Sequence, residues 1–100
     1  MQMEIQARDF ALTKALGGYV KRRINFVLSS RYDQIKRIVV RLSDINGPRG
    51  GIDKRCQIQI SLPHLADIVV EDTKSNLYAA IDNATDRAGR TVNRRLERQH

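Results

Sequence analysis

The sequence predicts an α+β fold: a four-stranded mixed sheet with two helices packed on one face, in the order β-α-β-β-β-α. Four segments alternate apolar and polar residues with the period of two that a half-buried strand needs. Two longer segments carry apolar residues at spacings of three and four, the mark of an amphipathic helix. Each strand then has one apolar face and each helix one apolar stripe. Laying both helices on one sheet face buries all of these surfaces and leaves the other face polar and open to solvent.

Residues 1–8 form the first strand, with Met1, Met3, Ile5 and Ala7 on one face and Gln2, Glu4, Gln6 and Arg8 on the other. Thr13 can cap a helix that runs to about Ser29. Its stripe is Leu12, Leu16, Tyr19, Val20, Ile24 and Val27, with Lys14, Gly18, Lys21, Arg22 and Asn25 opposite. Residues 35–43 alternate again, placing Ile38, Val40 and Leu42 on one face and Arg37, Val39 and Arg41 on the other. A crossover of this kind is right-handed and makes the first two strands parallel.

Asp44 to Asp53 reads DINGPRGGID, whose Asn-Gly, Pro and Gly-Gly make a hairpin loop longer than a tight turn. In the third strand, residues 54–62, Cys56, Ile58, Ile60 and Leu62 face inward against Arg55, Gln57, Gln59 and Ser61. Pro63-His64 ends it, and Ile68 and Val70 alternate with Asp67, Val69 and Glu71 in a short fourth strand. Short loops make these last three strands antiparallel. From Ser75 or Asn76 to about Glu97 the period becomes 3.6, with an inner stripe of Leu77, Ala80, Ile81, Ala84, Ala88, Val92 and Leu96. At ~1.5 Å per residue that helix is long for a chain of this size.

The chain of 100 residues has room for one domain, residues 1–100, and little else. Lys plus Arg is 18 against 11 for Asp plus Glu, a formal charge of +7, which suggests a polyanionic partner. No apolar stretch is long enough to span a membrane, and the opening MQMEIQARDF lacks the basic and apolar regions of a signal peptide. One cysteine makes no internal disulfide, so a reducing cytoplasm is expected. One Cys with His64 and the terminal His100 has no metal-ligand spacing, and no metal or other cofactor is expected.

The basic residues cluster. Between residues 10 and 40 stand Lys14, Lys21, Arg22, Arg23, Arg31, Lys36 and Arg37 against one acid, Asp33. Between residues 87 and 98 stand Arg87, Arg90, Arg94, Arg95 and Arg98 against Glu97. Arg87, Arg90, Arg94 and Arg98 share one side of the second helix, off its apolar stripe. Asp67, Glu71 and Asp72 gather near the fourth strand, and Asp82 and Asp86 in the first half of the second helix. The expectation is a dipolar body with one basic side built by its helices, whose charges can flank a shared groove. Guanidinium forks match pairs of phosphate oxygens, so such a ridge can follow an RNA backbone without reading its sequence. The plainer alternative is a solvated helix face with intrahelical pairs such as Asp86–Arg90 and Asp82–Arg87, but the acids are too few to neutralise the stripe.

Catalytic chemistry is not indicated. Cys56 sits at an inward strand position and reads as a buried, inert thiol. His64 reads as a solvated loop histidine and Tyr78 as packing with its hydroxyl at the rim. GPRGG lacks the Gly-Lys-Ser/Thr ending of a phosphate loop and joins two strands, although Arg49 at its tip can touch RNA. No nucleophile, base and orienting group occur together, so neither an enzyme nor a small-molecule substrate is expected.

Four stretches resemble a known family. MQMEIQAR with LTKAL resembles the opening strand and first-helix start of the bacterial ribosome hibernation-promoting factors, also called ribosome-associated inhibitor or sigma-54 modulation proteins. Arg23 falls where members carry a basic residue. DKRCQIQISLP with VVEDT resembles the third and fourth strands of one branch, and LYAAID followed by Arg87, Arg90, Arg94 and Arg98 resembles the signature second helix. The family fold is β-α-β-β-β-α, similar to a double-stranded-RNA-binding domain with a leading strand. The resemblance implies a stress-response factor that binds small-subunit ribosomal RNA through basic helices and sterically blocks the channel of messenger RNA and A- and P-site transfer RNA. It implies RNA contact by Lys21, Arg22, Arg23, Arg87, Arg90, Arg94, Arg95 and Arg98. Ending at His100, the chain resembles the short form, expected to be monomeric when free. Alternatives are a regulator acting by protein contact, as the sigma-factor name suggests, and a general double-stranded-RNA binder.

Overall fold

The computed structural model describes residues 1–45 and 53–98. The glycine-rich part of the expected loop, with Arg49 at its tip, and the terminal His100 lie outside the described residues. Strands β1 (Gln2–Arg8), β2 (Arg37–Asp44), β3 (Lys54–Ser61) and β4 (Ile68–Lys74) form one sheet in the order β1-β2-β3-β4. Helix α1 (Lys14–Leu28) connects β1 to β2 through a short 3-10 helix, Ser29–Gln34, and helix α2 (Leu77–Glu97) follows β4. β1 and β2 are parallel, and the remaining pairs are antiparallel. The order and the mixed pairing are those that the alternation predicts.

Both helix starts follow from their caps. Thr13 Oγ1 accepts from the Leu16 N–H at 3.1 Å, and Asn76 Oδ1 accepts from the N–H groups of Tyr78 and Ala79 at 2.8 and 3.3 Å. A continuous core joins Leu16, Val20, Ile24 and Leu28 of α1 to Ile38, Val40 and Leu42 of β2, Ile58 and Ile60 of β3, and Ala84, Ala88 and Val92 of α2. Both helices therefore cover the same sheet face. Fully burying each large aliphatic side chain contributes about 2 kcal/mol, so this shared core is the main source of stability.

Three details depart from the sequence reading. Leu12 precedes the cap and is 40% exposed, and Leu28 takes the last place on the α1 stripe. Thr85 and Gly89 are buried on α2 beside its predicted stripe, because α1 packs there. Val39 is buried although it lies on the open sheet face. Its register neighbours Glu4 and Gln59 bond diagonally to Arg37 and Arg41, and these polar side chains close around the valine.

Candidate nucleic-acid interface

The seam between the helices is a row of ion pairs. Arg23 projects from α1 toward the α2 flank that carries Asp82, Thr85 and Asp86. Its Nη2 lies 2.5 Å from Asp86 Oδ1, its Nε lies 3.3 Å from Asp82 Oδ1, and Nε also donates to Thr85 Oγ1 at 3.3 Å. One turn earlier, the Tyr19 hydroxyl donates to Asp82 Oδ1 at 2.5 Å. That bond, with burial and the Asp82 charge, holds the Tyr19 hydroxyl above its usual pKa. Tyr19 also meets Tyr78 edge-on, with ring centroids 4.8 Å apart. Farther along, Arg31 Nε donates to Asn93 Oδ1 at 3.0 Å and Arg31 Nη2 stands 4.0 Å from Glu97.

This seam fills the space between the helices with ion pairs and takes Arg23 out of the expected shared groove. Asp82 and Asp86 reach across to α1 instead of forming pairs along α2, and Arg87 turns outward to Asp72 at 3.9 Å and the Glu71 carbonyl at 2.7 Å. Two acids of α2 are thus interleaved with the basic helices.

The remaining cations lie outside these ion pairs. On the β4 side of α2, Arg95 Nη1 donates to the Ala66 carbonyl at 3.3 Å and Arg94 Nη2 to Thr91 Oγ1 at 3.4 Å, while Arg90 and Arg98 project into solvent. On the other side, Lys14 and Lys21 of α1 line an open groove with Met3 and Ile5 of β1. Arg22 lies 6.0 Å above the Tyr19 ring. Among the described residues, Lys21, Arg22, Arg90, Arg94, Arg95 and Arg98 form no ion pair, whereas Arg23 and Arg87 do. The eight residues expected to touch RNA therefore divide into six available cations and two engaged in holding the fold.

The sequence reading missed Phe26, which is 79% exposed on α1 with the Arg23 guanidinium 5.8 Å from its ring centroid. Its position off the apolar stripe was the available signal. The reading also gave no role to the arginines of the open sheet face, where Arg41 donates to Gln57 and Gln59.

Cys56 is fully buried, and desolvation, reinforced by the Asp72 charge, pushes its thiol up to about 12. His64 is exposed with φ 65°, in the turn after Pro63. Among the described residues, no three His, Cys, Asp or Glu side chains are grouped to hold a metal ion, and no helix is long and apolar enough to cross a membrane.

The family model described as sigma 54 modulation protein / S30EA ribosomal protein matches residues 3–100. Among solved structures, the Protein Y N-terminal domain of Thermus thermophilus is 30% identical, with a TM-score of 0.76 over 94% of this chain and 98% of that one. A ribosomal subunit interface protein from Coxiella burnetii superposes with a TM-score of 0.83 over 97% of this chain and 99% of that one, at 13% identity, and so attests the fold alone. Comparison with curated protein sequences finds no match.

Proposed function

Because the chain belongs to the sigma 54 modulation protein / S30EA ribosomal protein family, we propose that it is a ribosome-associated hibernation factor that binds small-subunit ribosomal RNA and blocks translation by occupying space. The observation that carries the RNA reading is the division of cations. Arg23 and Arg31 are matched by acids in the seam, while Arg90, Arg94, Arg95 and Arg98 of α2 and Lys21 and Arg22 of α1 are unmatched among the described residues. Unmatched guanidiniums on a rigid helix offer paired donors to phosphate oxygens and gain by releasing counterions from the RNA.

The action is steric. A body of this size seated in the channel of messenger RNA and A- and P-site transfer RNA excludes them without any bond being made or broken. One domain suffices for that, and residues 1–100 supply it as a monomer working in the cytoplasm. Phe26 beside Arg23 adds a surface on which an unpaired base can stack.

Sedimentation with purified small subunits tests this reading. Co-sedimentation at low salt that disappears at high salt is expected. Equal affinity for any duplex RNA would favour a general double-stranded-RNA binder, and binding to a protein target with no salt dependence would favour a regulator acting by protein contact.

A further inference from the structure

The sheet face turned away from the helices carries a second group of cations. Strand register sets Arg8, Ser43 and Arg55 in one cross-strand row and Gln6, Arg41 and Gln57 in the next. These six residues line a cleft of about 540 Å³, and among the described residues no acidic side chain lines it. Arg41 Nη1 donates to Gln57 Oε1 at 3.3 Å and Gln59 Oε1 at 3.0 Å. Arg55 Nε donates to Ser43 Oγ at 3.4 Å, and its ion pair with Glu71 is a loose 3.8 Å. Arg8 is exposed and has no side-chain partner among the described residues. The sequence between Ile45 and Asp53 holds no acid that could serve it.

The same face neutralises a different arginine well, since Arg37 meets Glu4 at 2.7 Å. The shortage of carboxylate is therefore local to the cleft. Arg8 and Arg55 lie two strand spacings apart, ~10 Å, on either side of the Ser43 hydroxyl. Three guanidiniums around a concave surface focus positive potential into it. Guanidinium, amide and hydroxyl groups are the donors that RNA phosphate oxygens take. Among the described residues no aromatic ring lines the cleft, so bases have no stacking platform there and the contact is with backbone.

We propose that this cleft is a second phosphate-binding surface, which holds RNA backbone on the side of the molecule opposite the helices. The proposal rests on the ribosome reading above and extends it: the protein is gripped by RNA on two faces.

The test uses the full chain with the double variant Arg8→Gln, Arg55→Gln, checked for folding by circular dichroism, beside Arg94→Gln, Arg98→Gln on the helices. Small-subunit affinity is measured against salt, and inorganic pyrophosphate is titrated while the arginine Nε–H signals are followed by NMR. The expected result is a log-log salt slope reduced by about two in each double variant, additively when they are combined. Pyrophosphate should shift the Arg8, Arg41 and Arg55 signals saturably. A slope changed only by the helix variant overturns the proposal and leaves the ribosome reading standing. If pyrophosphate still saturates the cleft in that case, the site takes free phosphate and not RNA. If no variant changes the slope, the ribosomal-RNA reading fails, and the RNA proposal fails with it.

Discussion

Gly89 of α2 lies so close to Val27 of α1 that a Cβ on the glycine would stand 3.2 Å from the valine Cβ and 3.3 Å from its carbonyl oxygen. The missing side chain is what lets the helices approach closely enough for Arg23 to reach Asp82 and Asp86. Gly17, in contrast, has nothing within 4 Å of its would-be Cβ. Gly17→Ala should therefore raise stability by about 0.5–1 kcal/mol through helix propensity and a less flexible unfolded chain. Gly89→Ala gains the same propensity but must displace α1 backbone, and Gly89→Val should lower stability by about 1–3 kcal/mol. Urea unfolding of the variants checks the opposite signs.

Arg23 is matched by two carboxylates, and its side chain is only 23% exposed. Arg23→Ala leaves Asp82 and Asp86 facing each other without a cation and should cost about 1–2 kcal/mol. Arg23→Lys should recover only part of this, since one ammonium cannot span both acids and Thr85 as the fork does. Measured below its melting temperature, Arg23→Ala should bind small subunits with nearly the wild-type salt slope, because the charge removed was already neutralised.

Arg94→Ala combined with Arg98→Ala removes exposed groups outside the core. Each change should alter stability by about 0.5 kcal/mol or less. Small-subunit affinity should fall, and the salt slope should flatten by roughly one for each phosphate no longer neutralised. A folded double variant with an unaltered slope would assign that part of α2 to the solvent.

The Tyr19 hydroxyl is held above its usual pKa by its bond to Asp82, so the folded protein binds that proton more tightly than the unfolded chain. The stability gained is complete below pH ~10, the ordinary tyrosine value, and is lost as pH rises through the raised value. Alkaline unfolding should begin earlier relative to neutral stability in the wild type than in Tyr19→Phe. Tyrosinate absorbance should lose part of its late-titrating component in that variant, with Tyr32, raised by burial, supplying the remainder.

Cys56 is sealed beneath the helices with its thiol pushed up to about 12. A thiol reagent should label native protein orders of magnitude more slowly than denatured protein, at a rate set by unfolding. Labelling of native protein at the denatured rate would contradict the packing of α2 over β3.

The elements were legible because each carries its own period. Alternation in residues 54–61 places Cys56, Ile58 and Ile60 inward whatever the neighbouring strands do, and the structure buries all three. What the helices do to each other was not legible in this way. Thr85 and Gly89 look like indifferent helix positions until α1 is laid beside them, and Arg23 and Arg22 are equivalent in composition while one is matched and the other exposed. The burial of Val39 depends on diagonal bonds between three strands, which no local pattern encodes. Charge clustering in the sequence located the basic helices correctly and could not say which of their cations were already taken.

The ion-paired seam also bears on how the molecule would meet a polyanion. Across the helical layer the order of charge is positive flank, neutralised middle, positive flank, with further cations beneath on the sheet. Such a quadrupole-like layout draws the protein toward a phosphate-lined cavity without turning it strongly toward one end. Long-range attraction then sets how often the protein arrives, and the pose is selected at contact, by which face fits. Raising the salt should slow arrival at every orientation alike, while substitutions on a single face should act chiefly on how long the complex lasts.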